Sequence, residues 1–237
     1  VLGINETQRQ DVNDMWQYVV DGMIPAGNPN AGALKFKDLN GYLRDDSGNI
    51  VMVNGKPAYS GSPDGMIDEA DMIYKGNSTP IPFSLNNSFE FGKFDVNVYF
   101  YGMFNNWQNN STYTMFAGNL QNVALYGENT LKSLANRWSY DNLNSSIPSI
   151  FAHVESTAAQ RNGYYLEKAW FLRCDNVSLG YTFKTKKSNK YFSSLRVYAA
   201  ARNLFVITPY SGSDPETDSQ AAYPNSRTYT FGIDITF

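Results

Sequence analysis

The sequence predicts an all-β chain, built of antiparallel strands of the kind that cross a membrane as part of a β-barrel, with long extracellular loops. The first observation behind this is the ending. Tyr229, Phe231, Ile233, Ile235 and Phe237 share one face, and Thr228, Thr230, Gly232, Asp234 and Thr236 share the other. Strand side chains alternate faces, so this is one apolar wall and one polar wall. The second is that four earlier stretches repeat the alternation. The third is that the connections run short, long, short, long, the asymmetry of periplasmic turns and external loops. The apolar wall faces either a core, as in a soluble sandwich, or lipid, as in a barrel, and that choice of solvent decides the function.

Residues 1–82 are turn-rich and polar. Val12 to Met23 (VNDMWQYVVDGM) holds no sustained period and is expected to be irregular. Residues 1–82 are expected to form an extracellular loop region, and 83–237 the barrel strands with external loops near 105–169 and 209–227. Phe83, Leu85, Phe89 and Phe91 alternate with Ser84, Asn86, Ser88 and Glu90; Phe94, Val96, Val98 and Phe100 alternate with Asp95, Asn97, Tyr99 and Tyr101. Gly92-Lys93 between them suits a tight hairpin. Residues 105–169 are rich in Asn, Ser and Tyr, with one helix-like stretch, Thr130 to Trp138, and a connection of that length usually carries function.

Val177, Leu179, Tyr181 and Phe183 then alternate with Asn176, Ser178, Gly180 and Thr182, ahead of a polar, Lys-rich turn, Lys184 to Lys190. Leu195, Val197, Ala199 and Ala201 oppose Arg196, Tyr198, Ala200 and Arg202. Two arginines on a polar wall suit a wet lumen and not a soluble core; they pair with neighbouring strand residues, or meet carboxylates elsewhere in the complete protein or an anionic substrate. Pro209 to Arg227 is a polar loop before the last strand. Five strands cannot close a barrel, and an open edge in hydrocarbon leaves backbone groups unpaired, so the chain is expected to be part of something larger.

Composition narrows the function. The chain has 237 residues, 42% hydrophobic and 15% aromatic, with 17 Tyr and 15 Phe, and a mean hydropathy of −0.42. No stretch approaches the roughly 20 apolar residues of a spanning helix, whereas a barrel strand needs only about 10 alternating ones. A net charge of −3 with 17% charged residues offers no basic stripe for nucleic acid. One cysteine, Cys174, permits no internal disulfide and reads as a small strand side chain. The start, Val1-Leu-Gly-Ile, has neither an initiator Met nor a secretion signal, as expected of a mature start or an internal fragment.

Three segments together resemble the C-terminal barrel of SusC/RagA-like TonB-linked outer-membrane proteins: Phe171 to Phe183 (FLRCDNVSLGYTF), Ser194 to Phe205 (SLRVYAAARNLF) and Tyr223 to Phe237 (YPNSRTYTFGIDITF). Asn136-Arg137-Trp138, Asn142 and Ile147-Pro148 are similar to that family's external-loop pattern, and Asp214-Pro215-Glu216 stands where its last loop carries the same triplet. The resemblance implies a barrel of about 22 strands closed by a plug, with the remainder of the barrel, the plug and the TonB-contacting segment lying N-terminal to this chain. It also implies a SusD-like surface lipoprotein as partner, lipid contact, and residence in the outer membrane of a Gram-negative, Bacteroidota-like bacterium. The terminal Phe fits, by the same resemblance, the signal read by barrel-assembly machinery.

One acidic turn draws attention. Asp38-Leu-Asn40-Gly41 and Asp64-Gly65-Met66-Ile67-Asp68-Glu-Ala-Asp71 read D-x-N-x-D-G-x-I-D-x-x-D once the intervening residues are removed, which resembles an EF-hand-like calcium loop. Hard cations take six to eight oxygens, and Asp38, Asn40, Asp64, the Met66 carbonyl, Asp68 and Asp71 supply them. The terminal ligand is Asp rather than a bidentate Glu. The insertion, Tyr42 to Pro63, reads as a hairpin of its own with Asn54-Gly55 at its turn, so Asn40 and Asp64 stay neighbours. The alternative is a solvated turn whose side chains cap backbone amides. A calcium ion here would be structural, and no other cofactor is expected.

Trp107, Tyr113, Trp138, Tyr140, Tyr164 and Tyr165 lie in or beside the long connection, where rings either stack on sugar faces or pack as an interfacial girdle. His153, the single histidine, has no triad or zinc pattern around it. The Asn-x-Ser/Thr triplets, such as Asn110-Ser111-Thr112, are expected by chance in an Asn-rich chain. The expectation is a transporter and not an enzyme: the C-terminal part of a TonB-dependent importer of oligosaccharides, or of peptides. Its rival is a secreted all-β carbohydrate-binding module with a calcium loop. A hydrolase is disfavoured, because the acidic residues cluster in one turn instead of at two separated strand ends.

Overall fold

The computed structural model describes residues 13–110, 131–149, 163–184, 192–217, 223 and 225–237. The chain divides into two compact units, residues 1–79 with 109–167, and residues 80–108 with 168–237.

The first unit is built from short pieces. Strand β1 (Asp14–Gln17) pairs antiparallel with β6 (Ile73–Asn77), and β2 (Val20–Met23) pairs with β3 (Leu34–Phe36). The stretch expected to be irregular therefore contains two strands. Its period is lost because each strand is four residues long and both pairings carry a register shift, at Met15/Trp16 and within β2. Tyr18 between them is buried against Met72, with Trp16 and Phe36 packed around the pair. Strands β4 (Met52–Val53) and β5 (Lys56–Pro57) form the expected hairpin. Asn54 and Gly55 both have positive φ, 53° and 74°, as a type I′ turn requires. Isolated bridges, Arg44↔Ile50 and Tyr42↔Tyr59, lay the preceding segment alongside this hairpin. The helix-like stretch is a 3-10 turn, Lys132–Asn136; its first amides have no side-chain cap from Leu131, and it ends where Arg137 turns extended. Two three-residue strands, β9 (Trp107–Asn109) and β10 (Leu166–Lys168), flank the long connection.

The second unit is one five-stranded antiparallel sheet: β7 (Ile81–Phe91), β8 (Phe94–Phe104), β11 (Phe171–Lys184), β12 (Ser194–Ile207) and β13 (Thr228–Thr236), in spatial order β13-β12-β11-β8-β7. It is not a closed barrel, and its two outer strands each have one side unpaired within it. Gly92, at φ 64°, opens the β7–β8 turn. The apolar wall is bare: Phe91 is 84% exposed, Phe231 82%, Ile233 64% and Ile235 51%. Among the described residues no second sheet covers it.

Strands β11 and β12 are longer than their alternation announced, because the alternation breaks midway. Asn176 pairs with Tyr99 and Cys174 with Phe100, leaving Asp175 as an extra residue. On the other side Asn176 pairs with Arg202 and Cys174 with Phe205, with Asn203, at φ 50°, in the gap. Such a bulge shifts the phase of a strand by one. Cys174 thereby joins the phenylalanines of the apolar wall, and Arg173 joins Tyr101 on the polar wall.

Candidate functional site: the polar wall

Each row of the polar wall is set by register. Glu90, Asp95, Gly180, Tyr198 and Gly232 form one row; Ser88, Asn97, Ser178, Ala200 and Thr230 the next; Asn86, Tyr99, Asn176, Arg202 and Thr228 the third. Asn97 donates to Asn86 Oδ1 (3.1 Å) and to Ser88 Oγ (2.8 Å). Arg196 reaches Asp95 with two hydrogen bonds, 2.9 and 2.6 Å, and Asp234 with a third at 2.9 Å. Gly180 makes this reach possible, since a Cβ there would overlap both the Asp95 carboxylate and the Arg196 guanidinium. Arg196 thus pairs with neighbouring strands. Arg202 does so only at the limit of an ion pair: its side chain is 70% exposed and the Asp175 carboxylate oxygen on β11 is 4.0 Å away.

The bulge buries the most heavily bonded side chain of the wall. Arg173 is 2% exposed. It donates from Nη1 to Asn203 Oδ1 and from Nη2 to Asp214 Oδ1 (2.8 Å), and its Nε lies 2.6 Å from Glu216 Oε2 as an ion pair without hydrogen-bond alignment. The Tyr101 hydroxyl donates to both Glu216 oxygens, at 2.8 and 2.9 Å. Asp214 also accepts the amides of Glu216 and Asn225, Asn203 donates to the carbonyl of Asn225 at 2.5 Å, and Gln108 donates to the carbonyl of Pro215 at 2.9 Å. The last loop is therefore fastened to the wall at Asp214, Pro215, Glu216 and Asn225. Sequence reading singled out the Asp-Pro-Glu triplet but not its partner, because a bulge leaves no periodic trace.

Beside this fastening lies a cleft of about 540 Å³ lined by Tyr99, Tyr101, Asp175, Arg202, Ser226 and Thr228, among others. The rings of Tyr99 and Tyr101 stand 6.0 Å apart and 26° from parallel.

In the first unit the acidic turn brings its residues together around backbone amides. Asp71, fully buried, accepts from the amides of Leu39, Asn40 and Asp68. Asp38 accepts from Asp64 and Gly65, Asp64 from Met66, Asp68 from Ala70, and Asn40 Oδ1 from Gly61. Met66 is 45% exposed. Among the described residues no three acidic, His or Cys side chains gather as a group able to hold a metal ion. Burial, with Asp71 and Asp64 beside it, pushes the Asp68 carboxyl above its ordinary value.

The aromatic candidates are dispersed. Trp138 is buried at 4%, edge-on to Tyr140, which is 72% exposed. Its loop is stapled by Asn142, which donates to the carbonyls of Asn136 and Arg137, and by the Trp138 amide, which donates to the Ile147 carbonyl. Tyr164 stands edge-on to Tyr165 and donates to the Ser146 carbonyl. Trp107 lies under the Lys168 ammonium, 5.6 Å from its ring centre. Tyr113 and His153 lie outside the described residues, as do residues 185–190 and 218–222 of the two polar loops.

No family model matches the chain. Among curated proteins it is 29% identical over 194 residues to the TonB-dependent receptor SusC of Bacteroides thetaiotaomicron, an alignment covering 78% of this chain and 18% of that protein. It is 26% identical to the TonB-dependent receptor P26 of Formosa agariphila, over 100% of this chain and 26% of that protein. Among solved structures it superposes on the RagAB peptide importer in the open-open state with a TM-score of 0.61 at 22% identity, over 99% of this chain and 24% of that one. A second RagAB peptide transporter structure gives 0.60 at 24% identity. The chain thus spans about a fifth to a quarter of the length of these relatives, and its fold is that of a segment of their barrel.

Proposed function

We propose, on the premise that this chain corresponds to the C-terminal barrel portion of a SusC/RagA-like TonB-linked protein, that it forms part of the wall of an outer-membrane importer and does no chemistry on its cargo. The observation that carries this reading is the two-faced sheet. One wall leaves Phe91, Phe231 and Ile233 exposed, and the other carries Arg196, Asp95, Asn97 and Arg202. Apolar outside and polar inside is what a barrel in lipid requires. The rival secreted module needs a core over those same phenylalanines, and the sheet offers none among the described residues.

In the complete protein the polar wall lines the lumen beside a plug, energy comes through TonB, and a SusD-like lipoprotein delivers cargo from outside. The relatives named as TonB-dependent receptors support the energy coupling. Oligosaccharide is the cargo we favour, with peptide the second reading because the solved neighbours are named as peptide importers. The test is twofold. Native protein should sediment with outer membranes and leave them only in detergent, and cells lacking the gene should lose uptake of labelled oligosaccharides in an uncoupler-sensitive manner. Recovery from aqueous supernatant without detergent overturns the proposal.

A further inference from the structure

The polar wall separates into a saturated half and an unsaturated half. Arg173, Tyr101, Asn203, Asp214 and Glu216 are spent on one another, the Arg173 Nε through its ion pair with Glu216 alone. The side chains that look into the neighbouring cleft are not. The hydroxyls of Tyr99, Ser226 and Thr228, the Arg202 guanidinium and the Asp175 carboxylate make no hydrogen bond with any described residue, the 4.0 Å pair between Arg202 and Asp175 being their one polar approach. We propose that this cleft is a sugar-binding subsite on the lumen wall, taking a neutral stretch of two or three pyranose units. The inference rests on the importer reading and deepens it.

Three features select that ligand. The groups are mixed: three hydroxyls that both donate and accept, one guanidinium that only donates, and one carboxylate that only accepts. A polyhydroxylated ring, whose own groups do both, satisfies that set; a lone anion does not, because Asp175 already stands beside Arg202. The Tyr99 and Tyr101 rings form a near-parallel pair at one end, the apolar surface that the C–H face of a sugar covers. The volume, about 540 Å³, falls within the roughly 300–1,000 Å³ of small-molecule sites. A peptide lacks its usual foothold at Tyr99, Asp175 and Arg202: β8, β11 and β12 are hydrogen-bonded on both sides, and the outer edge of β13, beyond Thr228, is the one that the rest of the barrel takes up in the importer reading.

The mounting is rigid as well as open. Tyr99 and Thr228 sit on strands, Arg202 and Asp175 flank the bulge, and Ser226 is held by the Asn203 amide that bonds its carbonyl. The complete importer, purified in detergent, is titrated with maltotriose, cellotriose and mannotriose and separately with trialanine, using saturation-transfer NMR. At least one trisaccharide is expected to bind, roughly tenfold more weakly to Tyr99→Ala and to Thr228→Val, a loss of the size of one removed contact, and unchanged by Lys93→Ala in the β7–β8 turn, six residues along the strand from Tyr99. The near-isosteric Thr228→Val guards against a folding artefact in Tyr99→Ala. Trisaccharide binding that ignores both substitutions overturns the subsite while leaving the importer intact. Trialanine binding that depends on Tyr99 without any trisaccharide binding, or no binding of either probe, overturns the sugar assignment. Uptake that persists in cells lacking the gene, with the in vitro binding and its dependence on Tyr99 and Thr228 as expected, counts against the importer reading alone.

Discussion

Arg173 is the residue whose loss the molecule tolerates least. With Asp214 4% exposed and Arg173 2%, Arg173→Leu leaves Asp214 and Glu216 facing each other without a cation. Stranding buried charge in this way costs about 3–5 kcal/mol. The expected readout is a marked fall in the denaturant midpoint of the purified protein, and Arg173→Lys is expected to recover little of it, since an ammonium cannot hold three partners in the plane of a guanidinium. At Asp68 the sign is opposite. Its carboxyl is held above the ordinary range by burial and by Asp71 and Asp64, so the folded state favours the proton. That raised value costs stability at neutral pH and the cost disappears as pH falls below it. Asp68→Asn, which keeps the acceptor for the Ala70 amide, should melt higher than the parent at pH 7 in calcium-free buffer, with the gap closing on acidification. The same pair of proteins in millimolar calcium tests the cation reading: an ion held by Asp68 makes the asparagine protein the less stable one. Asp38, Asn40, Asp64 and Asp71 were legible in the sequence as a cluster. Their amide partners were not, because the donors come from backbone that only the folded hairpin brings round.

At the level of elements, all five long strands were legible, since period-two alternation sustained over eight or more residues fits a half-buried strand and not a helix. What escaped was every place where that period breaks. The bulge at Asp175 hid the first third of β11, and the four-residue strands β1 and β2 are too short to show a period at all. One interruption is informative in its own right. Asn87 occupies the apolar wall, in a row with Val98, Val177, Ala201 and Tyr229, midway along β7, and its side-chain amide has no partner among the described residues. Against lipid such an amide costs about 1–3 kcal/mol. Asn87→Leu in the complete protein is therefore expected to raise the temperature at which the barrel unfolds on a heated gel. A fall instead means that the strand bordering β7 donates or accepts at that height.

On the scale of the whole molecule, the sequence announced an incomplete object from strand count alone, and the five-stranded sheet bears that out. The two-faced character of the sheet was legible because Phe231, Ile233 and Ile235 alternate with Gly232, Asp234 and Thr236. The fastening of the last loop was legible only as three letters, Asp-Pro-Glu, whose meaning depends on an arginine some forty positions earlier that a bulge turns to the correct side. Local pattern reports which way a strand faces, whereas long-range charge pairing needs the register.

The unpaired rims of β7 and β13 carry a consequence for handling and for biogenesis. A greasy ribbon with two free rows of amides and carbonyls is a template for copies of itself, so this stretch produced alone is expected to polymerise into inclusion bodies. In the cell, whatever escorts the nascent polypeptide must shield the β13 rim until another strand zips against it.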